Sequence, residues 1–130
     1  MRTRATQWSG MAYERVSRFG PGADQRERPD NAKPTKYKTS CNKMPSLIHQ
    51  SGVLQALVFQ VARDRAGVVY VDHLAQTFFG DNEKGHRDLI EYAQKQPFGS
   101  YMALTRDLST IAQWFRRFAQ IELGSLEEED

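Results

Sequence analysis

The sequence predicts an all-α fold, a single small bundle of about five to six helices with a long C-terminal helix. Three observations carry that expectation. In YMALTRDLSTIAQWFRRFAQIEL, residues 101–123, the apolar residues Leu104, Leu108, Ile111, Phe115 and Phe118 recur at steps of four, three, four and three. They therefore share one side of a helix, with Ala112 and Ala119 alongside. Shorter repeats of the same period run through the rest of the chain, and no segment reads as a strand with a second strand to pair with. The connections are short except for one near the front, as in a helical bundle.

Taken in order, residues 4–19 form the first predicted helix, because Ala5, Trp8, Ala12, Val16 and Phe19 repeat at three and four. Gly20-Pro21-Gly22 stops it. Residues 20–42, GPGADQRERPDNAKPTKYKTSCN, hold Pro21, Pro29 and Pro34 with little to bury. Such a composition does not offset its own ordering entropy, so 20–42 reads as a flexible insertion whose end, near Lys36 to Lys43, joins the next helix. In KMPSLIHQSGVLQALVFQVARD, Gly52 reads as a helix-ending residue in the left-handed region between 45–51 and a new helix over 53–63. Leu54, Leu57, Val58 and Val61 are that helix's predicted buried side. VVYVDHLAQTFFG suggests a strand by its valines and tyrosine, and a helix by the spacing of Val69, His73 and Ala75 to Phe79. Helix is preferred, since a lone strand has no partner. A short helix over 87–95 follows with Leu89, Ile90 and Ala93 inward, and Pro97 and Gly99 mark the gap before the last helix. That helix, free of Pro and Gly over 101–123, spans roughly 33 Å.

The 130 residues suit one domain over 1–130. An apolar content of 39% and a mean hydropathy of -0.67 describe a water-soluble chain. No run approaches the eighteen or so apolar residues of a membrane span, and the front lacks the apolar stretch of a secretory signal. Together with the single Cys41, this predicts a cytoplasmic protein without disulfides. The formal charge of +2 conceals a segregation. Residues 1–49 carry ten basic and four acidic side chains, the last four residues are all acidic, and the middle balances. A basic front faces a polyanion, and 124–130 reads as a solvated acidic tail.

The basic residues fall on helical lines. Arg106, Gln113 and Arg117 lie almost opposite the apolar stripe of the last helix, with Arg116 beside them, and Arg4, Arg15 and Arg18 occupy a narrow arc of the first. With Lys43 these are the candidate nucleic-acid-binding residues: Arg4, Arg15, Arg18, Lys43, Arg106, Arg116 and Arg117. A solvated helix face looks the same, so spacing alone does not decide. Catalytic patterns are absent. His49, His73 and His86 fall on separate segments without zinc-ligand spacing and read as surface or half-buried histidines. GDNEKGHRD has its glycine and acids out of register for a calcium loop, and reads as a turn. Asp88 and Glu91 share a helix face but imply no cleft for acid–base work. Cys41 sits among lysines in a polar segment, and Trp8 and Trp114 border apolar stripes, which favours packing over base stacking. The chain is expected to be no enzyme and to use no cofactor, metal or small-molecule substrate.

RTRATQW with AYERV near the front, MPSLIHQSGVLQALVF in the middle and LTRDLSTIAQWFRRFAQ near the end occur in one order that resembles the small all-helical subunit of the Cmr (RAMP module, type III-B) CRISPR effector complex. The chain departs from that pattern at Met44 and Val53, where leucine is usual, and both keep apolar bulk. The resemblance implies a non-catalytic subunit in antiviral defence that stacks with further copies of itself beside the crRNA-bound backbone. Its implied partners are the other Cmr subunits and the crRNA and target RNA. The alternative is a stand-alone helical nucleic-acid-binding regulator, for which Gln50-Ser51-Gly52 would be the turn of a helix-turn-helix.

Overall fold

Thr3 opens the first helix by accepting a hydrogen bond from the backbone N–H of Thr6 at 3.1 Å, which satisfies one of the amides a helix start leaves unpaired. The computed structural model describes residues 3–20 and 32–128, and among them lie six helices and no strand. They are α1 (Arg4–Ser17), α2 (Pro34–Ser51), α3 (Val53–Arg63), α4 (Arg65–Phe79), α5 (His86–Lys95) and α6 (Phe98–Glu122). α3 has the bounds the sequence predicts, and VVYVDHLAQTFFG lies within α4 up to its closing glycine. Asp64 caps α4 through a 2.8 Å hydrogen bond from Gly67 N, and Gly85 N donates to Asp88 Oδ2 at the start of α5. α6 begins before the expected point, at Phe98, so that Gly99 lies inside it.

Of the predicted insertion over 20–42, the end expected near Lys36 to Lys43 to join the next helix does so, and the join begins earlier, at Pro34. Part of the insertion, 21–31, lies outside the described residues, but residues 34–42 are the first half of α2. Tyr37, Cys41, Met44 and Ile48 form that helix's buried stripe at steps of four, three and four, and the helix runs straight through Pro45. Proline there removes one backbone hydrogen bond, and burial of the stripe outweighs that cost of roughly 3 kcal/mol. Gly52 ends α2, its N–H bonding Ile48 O at 2.9 Å. Its φ of 83° is positive as expected, but ψ of 165° puts it outside the left-handed helical well, in a region essentially reserved for glycine. The buried face of α3 is also rotated from the predicted one. Val53, Ala56, Leu57 and Gln60 are buried, whereas Val58 is exposed and Leu54 and Val61 are half-buried.

α1 and α6 run side by side in the same direction, with Arg4 beside Asp107 and Tyr13 edge-on to Phe118. α2 runs antiparallel along the other flank of α6: Tyr101 near the start of α6 accepts a hydrogen bond from Leu54 N, just past the end of α2, while Lys38 near its start reaches Leu126. α4 touches all five other helices and is the most enclosed element, burying Val69, Tyr70, Val71, Leu74 and Ala75. The core aromatics meet there. Phe19 stacks on Tyr37 at 4.0 Å, and Tyr70 stands edge-on to both Tyr37 and Phe115. The stripe predicted for the long helix is the observed one, except that Phe118 is only half-buried and Ala112 and Ala119 complete the buried face.

Candidate nucleic-acid interface

With α1 on one flank of α6 and α2 on the other, one side of the long helix is left to solvent. Arg106 and Arg117 lie on it, exposed and eleven residues apart, so about 16 Å along the axis. The Arg117 guanidinium lies 5.7 Å from the Trp114 ring, which stacks on Phe118; an aromatic face under a cation limits where that cation can swing. Thr110, between the two arginines, returns its hydroxyl to Arg106 O and adds no charge.

Arg116 turns towards α2. There a polar groove follows the α2–α6 seam, lined by Ser46, His49 and Gln50 on one wall and Ser109, Gln113 and Arg116 on the other. Lys43 sits on the α2 side, half-exposed. The first helix contributes less than expected. Arg4 is exposed but pairs with Asp107 at 3.3 Å and lies 4.7 Å from the Trp8 ring, and Arg18 pairs with Glu14 at 2.9 Å. Such surface pairs hold weakly, about 0–1 kcal/mol, and yield to a stronger anion.

Arg15 is a correction. It is 2% exposed, so it does not belong to any interface, although its sequence position shares an arc with Arg4 and Arg18. Its Nε donates to Gln76 Oε1 at 3.0 Å, its Nη1 to Met11 O at 3.2 Å, and its Nη2 to Asn82 Oδ1. Burial pulls its pKa below the ordinary arginine value, and three neutral oxygens replace the water that the guanidinium has lost. Arg15 fastens α1 to the end of α4 and to the turn after it.

The structure brings other groups to the seam that sequence reasoning missed. His49, Ser46, Asn42 and Lys38 follow one another along α2 at steps of three and four, a line hidden when 20–42 is read as a loop. The tail is not wholly solvated either. Leu123 is buried, Leu126 packs on the core, Lys38 Nζ donates to Leu126 O at 2.6 Å, and Asn42 Nδ2 donates to Glu128 Oε1.

The histidines divide three ways. His49 is exposed, and His86 Nδ1 lies 2.7 Å from Asp72 Oδ1 at the start of α5. His73, expected at or near the surface, is instead buried and shares a 2.7 Å hydrogen bond between its Nδ1 and Tyr37 Oη. Desolvation, with Arg15 and Arg18 adding to it, pulls its pKa down to about 3. Cys41 lies in the core rather than in a polar loop, and burial pushes its thiol up, away from the reactive thiolate. Among the described residues no group of three His, Cys, Asp or Glu side chains is placed to hold a metal, and no helix is long and apolar enough to cross a membrane. Gln50-Ser51-Gly52 does separate two helices, but the outward side of α3 carries Val58 and Phe59, where a recognition helix needs polar side chains.

A family model described as CRISPR-associated protein (Cas_Cmr5) matches residues 4–122, all six helices. The chain belongs to the Cas_Cmr5 family. Among its relatives is the CRISPR system Cmr subunit Cmr5 of Thermus thermophilus, which is 34% identical over 121 residues, 92% of this chain and 96% of that protein. The X-ray structure of a Cmr5 family protein from the same organism superposes with a TM-score of 0.80 at 33% identity, covering 95% of this chain and 99% of that one. The all-helical architecture of the Cas_Cmr5 family is thus the architecture described above, from the Thr3 cap to the end of α6.

Proposed function

We propose that this chain is the non-catalytic small subunit of a type III-B Cmr effector complex, stacking with copies of itself beside the crRNA-bound backbone and contacting guide or target RNA. Family membership across all six helices supports the subunit role. The RNA contact rests on one observation of the surface: Arg106 and Arg117 stand on the solvent side of a rigid helix with Arg116 at its edge. Cations at fixed helical spacing suit a phosphate backbone read by shape and charge. Arg4, Arg18 and Lys43 extend that surface at its flanks, and Arg15 is excluded from it.

The test is a salt series of RNA binding. Each phosphate contact on a single strand contributes about 0.7 to the slope of log affinity against log salt. Arg106→Ala with Arg117→Ala is expected to weaken binding of crRNA-length RNA and to reduce that slope by about 1.4 if both side chains reach phosphates. Equal affinity for the double variant and the parent across the series would remove these two residues from the interface.

A further inference from the structure

The α2–α6 seam carries cationic and polar groups along its length, and one end of it is already occupied by an anion belonging to the chain itself. Leaving α6, the chain buries Leu123, packs Leu126 on the core and places Lys38 Nζ 2.6 Å from Leu126 O. From there Glu128 reaches Asn42, one helical turn from Ser46 and two from His49. Farther along the same seam lies Arg116. The tail is therefore held by two apolar anchors and a lysine, and Glu128 falls on the line that continues the groove.

We infer that the acidic tail is an intramolecular stand-in for an RNA backbone in the α2–α6 seam, and that it must leave before RNA can run the full length of that seam. The inference rests on the RNA-contacting reading above and deepens it by adding an internal competitor. A carboxylate hydrogen-bonded where a phosphate oxygen would go lowers the apparent affinity by the fraction of time it is docked. A tail docked nine-tenths of the time lowers it about tenfold.

The test compares two pairs of substitutions of equal charge in the full-length chain, each titrated against the same single-stranded RNA. Glu127→Gln with Glu128→Gln is expected to raise affinity about five- to tenfold by freeing the seam. Glu83→Gln with Glu91→Gln makes the same change in net charge at and beyond the turn after α4. Neither residue lines the seam, charges more than about 10 Å from the RNA are screened in 0.1 M salt, and the expected change is under twofold. Asn42→Ala, which alters no charge, is expected to raise affinity about twofold by loosening Glu128. Equal gains from both charge pairs would reduce the effect to net charge and overturn the inference, as would unchanged or weaker binding by Asn42→Ala. If neither pair changes affinity while Arg106→Ala with Arg117→Ala weakens it, the tail is no competitor and the RNA contact stands. If the parent chain and every variant fail to bind, the RNA contact itself falls and the competitor with it.

Discussion

Arg15 and His73 lie in the same enclosed region and show how far a side chain's role depends on partners distant in sequence. Arg15 shares its arc with Arg4 and Arg18, and local spacing cannot tell the three apart. The difference comes from Gln76 and Asn82, 61 and 67 residues away, whose oxygens make burial tolerable for one arginine of the three. His73 was legible as part of an apolar helix face, but its depth was not, because depth depends on Phe19 and Tyr37 closing over it. Its pKa gives a prediction. The imidazole titrates near 6.5 when unfolded and at about 3 when folded, so between those values the unfolded chain binds a proton that the folded chain refuses. Stability is then greatest above the unfolded value and falls as pH drops. By pH 5 the loss from this group is about 2 kcal/mol relative to pH 7. Urea unfolding at the two pH values should show that loss in the parent chain, with His73→Gln losing correspondingly less; identical losses would mean that His73 is accessible to protons while folded.

At the level of whole helices, the legible elements were those whose apolar period is unbroken. The stripe of α6 was readable because nothing interrupts it, and the ends of α3 were readable because Gly52 and Asp64 punctuate them. α2 was legible only in part, for the opposite reason. Its period continues from Tyr37 to Ile48, yet Pro34 and Pro45 are strong local breakers, and only burial against α4 and α6 shows that the period won. The faces of α3 were hidden because it is apolar nearly all round, so its spacing does not say which side turns inward. Where α3 and α4 meet, the backbones come so close that a methyl group on Gly67 would lie 1.9 Å from Gln60 O. Gly67→Ala is expected to cost about 2–3 kcal/mol through the forced separation of the two helices. Gly10 lies in α1 with nothing near its missing methyl, and Gly10→Ala is expected to add about 0.5–1 kcal/mol by favouring the helix. Denaturant midpoints moving in the same direction for both would contradict this packing.

For the molecule as a whole, the charge segregation was legible as a total and illegible as a surface. One basic residue of the front half is sealed inside, two are tied to acids on α1 and α6, and part of the acidic tail lies against α2. The apolar surface was less legible still. Val58 and Phe59 on α3 and Phe98 and Met102 at the start of α6 are exposed, Phe98 at 81%, on two helices that meet where Leu54 N donates to Tyr101 Oη. Exposed apolar side chains in one region mark a contact surface rather than a core. On the proposed subunit role, Phe98→Ser with Met102→Ser should leave the unfolding midpoint within about 0.5 kcal/mol of the parent and sharply reduce recovery with tagged Cmr subunits. Undiminished recovery would place the assembly contact elsewhere. The buried ends Phe19 and Ala32 have a different consequence. Because the core grips both, neither the end of α1 nor the approach to α2 can fray without exposing apolar surface. Brief digestion by a protease should therefore spare both helices until the core itself opens.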